Sequence, residues 1–479
     1  MKILKEYKLG INAILNVLRQ LAAVIFPLIT FPYVSRTLGV ENYGKINYTA
    51  SIISYISLIA GLGITNYAIR EGSRLKSDYK KFTRFVSEIF TLNFLSLFIS
   101  YVLLFIIIFY YKGNETYRYL LLIQGITVFF TVIGCEWLNV IYEDYFFITV
   151  RYILFQAVTL GLIFLLVKTV DDLLIYAFVS QIGTIFANIC NVVHFYKRWN
   201  VKLSFIIDAS IFSHLKYILI LFANSISMLI YVNSDVTLIG IYKGDYEVGL
   251  YSVSVKIYTI VKQLLNAMMV VGIPRMARWT GKVEKSKVDK QLNSLLNVLL
   301  VFLFPAIGGL YCLSNSIISV MAGNKYCLSA EALKILAITL LFSTGVCFYS
   351  NLVLIPNNME KYILKATSLS AILNIVLNII YIPSYGMIAA AYTTLISEGV
   401  SVLYMILVAR KVYFPSVFKI FIQSLFCAVV ISFICSFVLD LSILNLYKIL
   451  ISIGISGVFW LIYWGLIRCI ERAKKTIEV

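Results

Sequence analysis

The chain has 479 residues, of which 61% are hydrophobic and only 13% are charged, and its formal net charge is +18. Soluble globular domains carry about 25% charged residues, so this composition excludes a soluble domain and indicates a polytopic membrane protein. The positive charge is not evidence for nucleic-acid binding. Most of the lysines and arginines fall in short loops between apolar runs, where they contact anionic lipids.

Apolar runs of about 20 residues, each long enough to cross a hydrocarbon core, recur from end to end. We predict fourteen spans, at residues 11–32, 46–65, 84–110, 118–136, 148–167, 173–195, 215–241, 248–272, 293–313, 330–355, 362–382, 386–409, 417–439 and 446–467. No cleavage site of small residues follows the first run, so it is expected to be a retained helix and not a signal peptide.

The lysines and arginines are concentrated in alternate loops, which are therefore expected to be cytoplasmic. On this rule both termini lie in the cytoplasm, which requires an even number of spans. The inner loop at residues 137–147 fits poorly, because it contains Glu143 and Asp144 and no basic residue. The orientation rule depends on lysine and arginine and very little on acidic residues, so we keep the predicted orientation with both termini in the cytoplasm.

A faint internal repeat relates the two halves of the chain. Aligning Gly44 with Gly249 also aligns Arg70 with Arg275. The copies are six spans apart, an even number, so the halves point the same way and a substrate path is expected between them, near the midplane.

The predicted fold is an all-α polytopic membrane protein with two six-helix lobes in pseudo-twofold parallel repeat around a central cavity. The predicted divisions are an N-lobe at residues 1–200 (helices 1–6), a C-lobe at 201–412 (helices 7–12), and two further helices with a cytoplasmic tail at 413–479.

Five ionisable residues lie well inside the predicted spans: Arg19, Asp235, Lys256, Lys262 and Glu398. A charge in a bilayer usually faces a water-filled cavity or a partner, because burying it costs at least about 2.5 kcal/mol. The three bases suit an anionic cargo, since a guanidinium binds phosphate bidentately and an ammonium binds it as a point charge. The acids, Glu398 above all, are of the kind that proton- or sodium-coupled carriers use. A salt bridge between Asp235 and Lys256 is the open alternative for those two.

Polar residues recur every three or four positions in several spans, so they share one helix face. In spans 1 and 8 these stripes include bases at depth, and we expect them to line a cavity. Their members include Asn16 and Arg19 in span 1, and Lys256, Lys262, Gln263 and Asn266 in span 8. In spans 11 and 12, apart from Glu398, hydrogen bonding between helices is the simpler interpretation. Arg19 and Lys262, roughly 12 and 15 Å from the inner ends of their spans, could face one inward-open cavity.

The eight cysteines fall mostly within apolar spans, where cysteine acts as a small hydrophobe. No CxxC motif or Cys/His cluster suggests a metal site, and we expect no cofactor and no catalytic residue. A disulfide between Cys312 and Cys327, near one predicted outer loop, is conceivable but is not expected, because a multi-span bundle does not need the cross-link.

Three segments, in order along the chain, resemble Wzx-type polysaccharide flippases. They are FPYVSRTLGVENYGKINY at residues 31–48, GITNYAIRE at 63–71, and NSD at 233–235 running on to EVGLYS at 247–252. The resemblance implies the multidrug/oligosaccharidyl-lipid/polysaccharide exporter superfamily, whose two lobes open alternately to each side of the membrane. It implies a cargo of undecaprenyl-pyrophosphate-linked oligosaccharide, flipped across the bacterial cytoplasmic membrane.

The resemblance also implies roles for single residues. Gating or structural roles fall on Pro32, Arg36, Gly39, Tyr43, Gly44, Arg70 and Arg275. The related lipid II flippases use bases in the first and eighth helices, and Arg19, Lys256 and Lys262 occupy comparable places, with lysine in helix 8 where those proteins have arginine. Membrane lipids and a polysaccharide polymerase complex are the further partners implied, and nucleic acid is not one.

Three other functions fit the sequence less well. An ion-coupled drug antiporter of the same superfamily predicts a cavity dominated by acids and aromatic residues, whereas here the bases outnumber the acids. A glycan polymerase, ligase or glycosyltransferase usually needs a large extramembrane segment, and the longest predicted outer loop is only residues 314–329. A purely structural membrane protein would not need charges at depth.

Overall fold

A computed structural model of the chain describes residues 2–111, 114–201, 203–206, 208–270 and 285–477. Within these ranges the chain is almost entirely helical and has no strand, which confirms the predicted all-α class. The chain divides into two compact units, Met1–Gly240 and Ile241–Val479. The lobe boundaries near residues 200 and 412 stay a prediction.

The helices of the first unit pack around α1 and α7. The elements are α1 Lys2–Gly61, α2 Ile64–Leu75, α3 Tyr79–Tyr110, α4 Glu115–Gly134, α5 Glu136–Ile141, α6 Tyr145–Leu166, α7 Leu173–Trp199 and α8 Phe212–Lys243, which ends just past the unit. Helix α1 packs against α3, α4 and α6, and α7 packs against α4 and α6. Aromatic and aliphatic side chains such as Phe82, Phe85 and Trp137 form a buried cluster where α2, α3 and α5 meet.

The second unit is built around α12 and α13. Its elements are α9 Asp245–Val270, α10 Lys285–Cys312, α11 Ser314–Met321, α12 Ser329–Phe348, α13 Glu360–Ala409, α14 Phe418–Leu439 and α15 Asn445–Ile477. Helix α12 packs against α9, α10 and α13, while α14 packs against α10 and α15. The cysteines of the chain are all free, so Cys312 and Cys327 are not bonded to each other.

Helices α1 and α13 are too long for one crossing, and each is broken at a single glycine. They contain 60 and 50 residues, whereas a membrane span needs about 20. The breaks fall at Gly39 (φ 74°, ψ 174°) and Gly386 (φ 58°, ψ −137°). The sequence predicted a connecting loop at residues 33–45, but the helix runs on to Gly39 and restarts at once. One residue in a conformation that glycine adopts readily is enough to redirect the axis.

Ten helices in the described part of the chain are long and apolar enough to cross a membrane, so this is a multi-pass membrane protein. The number rises to eleven if Phe212–Ser227 and Val232–Lys243, bent by 57° from each other, count as one span. Two of the ten candidates, Leu18–Leu75 and Glu360–Ala409, have the length of two crossings each. The exact count of fourteen stays a prediction.

The polar stripes of the predicted spans 11 and 12 bind each other within α13. The Ser370 hydroxyl donates to the Ser397 carbonyl oxygen at 2.8 Å, and the Thr393 hydroxyl donates to the Asn378 amide oxygen. Asn378 in turn donates to Asn374 at 3.1 Å. The expected hydrogen bonding between these two spans is therefore confirmed.

Candidate functional site

A break in the first unit positions Glu136 at the wall of a cavity. Helix α4 ends at Gly134, the next residue Cys135 has the left-handed conformation (φ 42°), and α5 begins at Glu136. A side chain at position 134 would place its Cβ 2.3 Å from the amide oxygen of Asn188, so only glycine fits this close approach. The break places the Glu136 carboxylate between α1 and α6.

The Glu136 carboxylate bridges two arginines. Its Oε1 lies 3.1 Å from Nη1 of Arg19, and its Oε2 lies 2.9 Å from Nη2 of Arg151. The second guanidinium nitrogen of Arg151 donates to the Ala187 carbonyl oxygen at 2.7 Å. The Arg151 side chain is 6% exposed and that of Arg19 is 37% exposed. The three side chains carry two positive charges and one negative charge, so the group keeps one excess positive charge.

Two cavities meet at this group. The larger, of about 500 Å³, has a mixed lining. Its polar side chains beside Arg19 and Glu136 are Ser57, Thr65, Asn93, Thr131, Thr184 and Asn188, and its apolar side chains include Ile69, Val128, Val132, Trp137 and Val140. The smaller, of about 140 Å³, lies on the Arg151 side and shares Glu136, Thr184 and Asn188 with the first. A guanidinium with hydroxyl and amide side chains in the same cavity can bind an anion that also carries hydroxyl groups.

The second unit contains another ion pair between charges that the sequence placed at depth. Nζ of Lys262 in α9 lies 3.2 Å from Oε1 of Glu398 in α13, and their side chains are 25% and 5% exposed. The ammonium also lies 5.5 Å from the centre of the Tyr258 ring. The Glu398 carboxylate therefore has a counter-ion, and its role in ion coupling stays a prediction. Glu398 and Lys262 are 136 residues apart in the chain, so the spacing of residues along one helix does not reveal that they pair.

The other predicted binding residues occupy varied environments. Lys256 and Asn266 are half-buried and Gln263 is exposed, while Asp235 is buried. The Asn266 amide oxygen is buried and has no hydrogen-bond partner among the residues that the structure describes. The side chain of Asn16 and the whole of Arg275 lie outside the described residues. The cavity shared by Arg19 and Lys262 stays a prediction.

The segment at residues 31–48, the first of the three that resemble flippases, contains the bend at Gly39. Tyr43 and Gly44 are buried, and the Tyr43 ring lies 6.0 Å from that of Phe31. Pro32 is half-buried in α1 and Arg36 is exposed. These positions are consistent with the structural role that the resemblance implies.

Arg70 lies on α2, a short helix with one strongly polar side. It is exposed, and its Nε lies 3.0 Å from Glu71. Its guanidinium carbon lies 5.8 Å from the centre of the Tyr67 ring. These are contacts along one helix, and none of them reaches the cavity residues Arg19 and Glu136.

Equivalent positions of the repeat make similar contacts in the two units. The alignment of Gly44 with Gly249 sets Asn42 against Glu247. The Asn42 amide donates to the Val170 carbonyl oxygen at 2.9 Å, and Oε2 of Glu247 accepts from the Met387 backbone N–H at 2.8 Å. Asn42 thus holds the backbone between the fifth and sixth predicted spans of the first half, and Glu247 holds the backbone at the start of the sixth predicted span of the second half.

Sequence reasoning missed Glu136 and Arg151. Glu136 is the last residue of the predicted span 118–136, and Arg151 lies inside the predicted span 148–167, yet neither is among the five ionisable residues singled out there. That position was the available signal for Arg151. No signal marked the break beside Glu136, because cysteine is not a residue that favours turns.

Comparison with known proteins relates the chain to glycan export. The profile of a family described as "Polysaccharide biosynthesis protein" matches residues 9–280. A "Probable low-salt glycan biosynthesis flippase Agl15" of Haloferax volcanii is 27% identical over 201 residues, which are 42% of this chain and 42% of that protein. A "Putative O-antigen transporter" of Shigella dysenteriae is 23% identical over 398 residues, covering 82% of this chain and 98% of that protein.

Two solved structures share the fold. The lipid II flippase MurJ in an inward closed conformation superposes with a TM-score of 0.75 at 19% identity, covering 95% of this chain and 99% of that one. A crystal structure of a MATE point mutant superposes with a TM-score of 0.53 at 14% identity, covering 82% and 94% of the two chains.

Proposed function

Since the chain belongs to the polysaccharide biosynthesis protein family, we propose that it is a flippase for lipid-linked glycans. Its cargo is an undecaprenyl-pyrophosphate-linked oligosaccharide repeat unit, moved by alternating access for surface polysaccharide assembly. The names of its two relatives, a glycan flippase and an O-antigen transporter, support this class of cargo. The observation that carries the proposal is the cavity of about 500 Å³ in the first unit, with Arg19 at its wall.

The chemistry of that cavity suits a pyrophosphate with attached sugars. Such a headgroup cannot cross lipid unaided, because charged and hydroxyl groups lose their water. The Arg19 guanidinium replaces water at the phosphate, and the hydroxyl and amide side chains replace it at the sugars. A hydrogen bond to a charged group is worth about 1.5–3 kcal/mol, so losing one weakens binding by roughly one to two powers of ten. The prenyl tail can stay in the bilayer.

We assign the second unit a complementary role. Lys262, with Lys256, Gln263 and Asn266 on the same helix, forms a second anion site, and Glu398 and Asp235 serve ion coupling. Protonation of Glu398 would remove the negative charge that holds Lys262 and release the ammonium toward the cargo. Both termini lie in the cytoplasm, and a polysaccharide polymerase complex receives the flipped unit.

Complementation of a flippase-null strain tests the proposed function. Arg19→Ala should lose most complementation at a normal membrane level, and Arg19→Lys should keep part of it, because an ammonium still attracts phosphate without the bidentate geometry. Lys80→Ala, at an exposed position outside the cavity, is the matched control and should complement fully. Full complementation by Arg19→Ala would reject the role of Arg19.

A further inference from the structure

We infer that Glu136 is an exchange partner for Arg19: it holds the guanidinium while the cavity is empty and gives it up to an anionic cargo. Arg151 is the fixed counter-ion that makes this exchange possible. The inference rests on the proposed function, because it concerns the same cavity. It adds two positioning residues, Glu136 and Arg151, to which neither motif nor family assigns a role.

The two arginines differ in their freedom. Arg151 is held by a carboxylate oxygen and by the Ala187 carbonyl oxygen, and it is nearly inaccessible. Among the residues that the structure describes, Arg19 hydrogen-bonds only to Glu136, and more than a third of its side chain is exposed. An entering anion can therefore reach Arg19 more readily than Arg151, which lines the smaller cavity but is held by two acceptors.

The two carboxylate oxygens of Glu136 contact different arginines. Oε2 faces Arg151 and Oε1 faces Arg19. If Arg19 leaves, the carboxylate keeps Arg151 as its counter-ion, so it is not left as an unpaired charge. The cost of releasing Arg19 is then only the loss of one partly exposed ion pair. The excess positive charge of the group is delivered to the cargo.

The exchange also limits how tightly the cargo binds. A transport site must bind its cargo strongly enough to admit it and weakly enough to release it. Glu136 competes with the phosphate for Arg19, so it lowers the affinity and takes the guanidinium back when the cargo leaves. A site with Arg19 alone would hold the anion more tightly.

Binding of undecaprenyl pyrophosphate to the detergent-purified protein tests the exchange, with undecaprenol as the probe without phosphate. Glu136→Gln removes the negative charge that competes with the phosphate for Arg19, while the side chain keeps nearly the same shape. This variant should tighten binding roughly tenfold. In Arg151→Met, Glu136 pairs with Arg19 alone and the group carries no excess positive charge. This variant should therefore weaken binding by a similar factor. The double variant should bind at least as tightly as the wild type. Glu41→Gln removes an exposed carboxylate that pairs with Lys45, and it should leave binding unchanged.

The opposite signs separate exchange from a merely structural role. If Glu136 and Arg151 only hold the fold together, both single variants should weaken binding, and that result would overturn the inference. If Arg151→Met does not fold, Glu136→Gln alone decides the matter: no tightening contradicts the exchange. Arg19→Ala serves to distinguish the two proposals. Unchanged binding in Arg19→Ala rejects the cargo site itself, whereas weaker binding there without tightening in Glu136→Gln rejects the exchange alone.

Discussion

Gly39 and Gly244 both have a positive φ, 74° and 82°, at equivalent positions of the two halves. The alignment that pairs Gly44 with Gly249 also pairs these two glycines. Gly39 breaks α1, and Gly244 separates α8 from α9. The faint sequence repeat is thus accompanied by a positive-φ glycine before the second predicted span of each half.

Replacing Gly39 should cost stability through the backbone alone. Its φ and ψ lie in a region that is essentially restricted to glycine, and no atom lies within 4 Å of an added Cβ. Gly39→Ala should therefore lower the free energy of unfolding by about 1–3 kcal/mol. Thermal unfolding in detergent measures this. Gly61→Ala, in the same helix with ordinary φ and equal space, is the control, and equal stability of the two variants would contradict the argument.

Replacing Gly386 should be more damaging, because strain and a clash combine. An added Cβ would lie against the Glu247 carboxylate, which accepts the Met387 N–H. Gly386→Ala should lower the midpoint of thermal unfolding more than Gly39→Ala does, and adding Glu247→Ala should recover part of the loss. Gly399→Ala, in the same helix with open space around it, should be close to neutral. A double variant no more stable than Gly386→Ala would show that the carboxylate is not the obstacle.

The ion pair between Lys262 and Glu398 should show strong coupling. Glu398→Gln leaves a largely buried ammonium without its counter-ion, which typically costs about 3–5 kcal/mol. Replacing Lys262 by Met as well should restore most of the stability, because no charge remains unbalanced. A double-mutant cycle on thermal unfolding measures the coupling. Additive single effects would mean that the pair contributes nothing to the fold.

The same pair should control any ion dependence of transport. If Glu398 carries the coupling proton, flipping by Glu398→Gln should lose its dependence on a pH gradient while the protein stays folded in the membrane. Retention of the wild-type pH dependence in that variant would leave Glu398 with a structural role only.

Two exposed cysteines provide a test of orientation. Cys327 precedes α12 in a predicted outer loop, and Cys469 lies in α15 near the predicted cytoplasmic tail; both are exposed. In variants that keep only one of them, a membrane-impermeant maleimide added to whole cells should label Cys327 and spare Cys469 until the cells are lysed. Labelling of Cys469 in intact cells would overturn the cytoplasmic placement of the C-terminus.

Charges at depth were predictable from the sequence, but their partners were not. Arg19, Lys262 and Glu398 are visible as ionisable residues within apolar runs. Their contacts depend on helices far away along the chain, and Glu136 reaches Arg19 only because of the break at Cys135. Periodicity describes one helix at a time, so it cannot supply such pairs.

The surroundings of a loop residue were likewise not predictable from the sequence. Glu143 and Asp144 lie in a predicted inner loop that contains no basic residue, yet the Asp144 side chain is only 13% exposed. It accepts from the Phe147 N–H at the start of α6 and lies 3.1 Å from Nε2 of His194. The basic partner, His194, belongs to α7, so counting the charges of each loop separately does not find it.

Flipping of an undecaprenyl-pyrophosphate-linked oligosaccharide in proteoliposomes tests the central claim most directly. Wild-type protein and the Lys80→Ala control should expose the glycan on the opposite leaflet at equal rates, and an added glycan-specific lectin or glycosidase reports that exposure. Arg19→Ala should slow the exposure by roughly one to two powers of ten. Exposure by Arg19→Ala at the wild-type rate, in liposomes that contain equal amounts of folded protein, would contradict a cationic cavity as the route of the cargo.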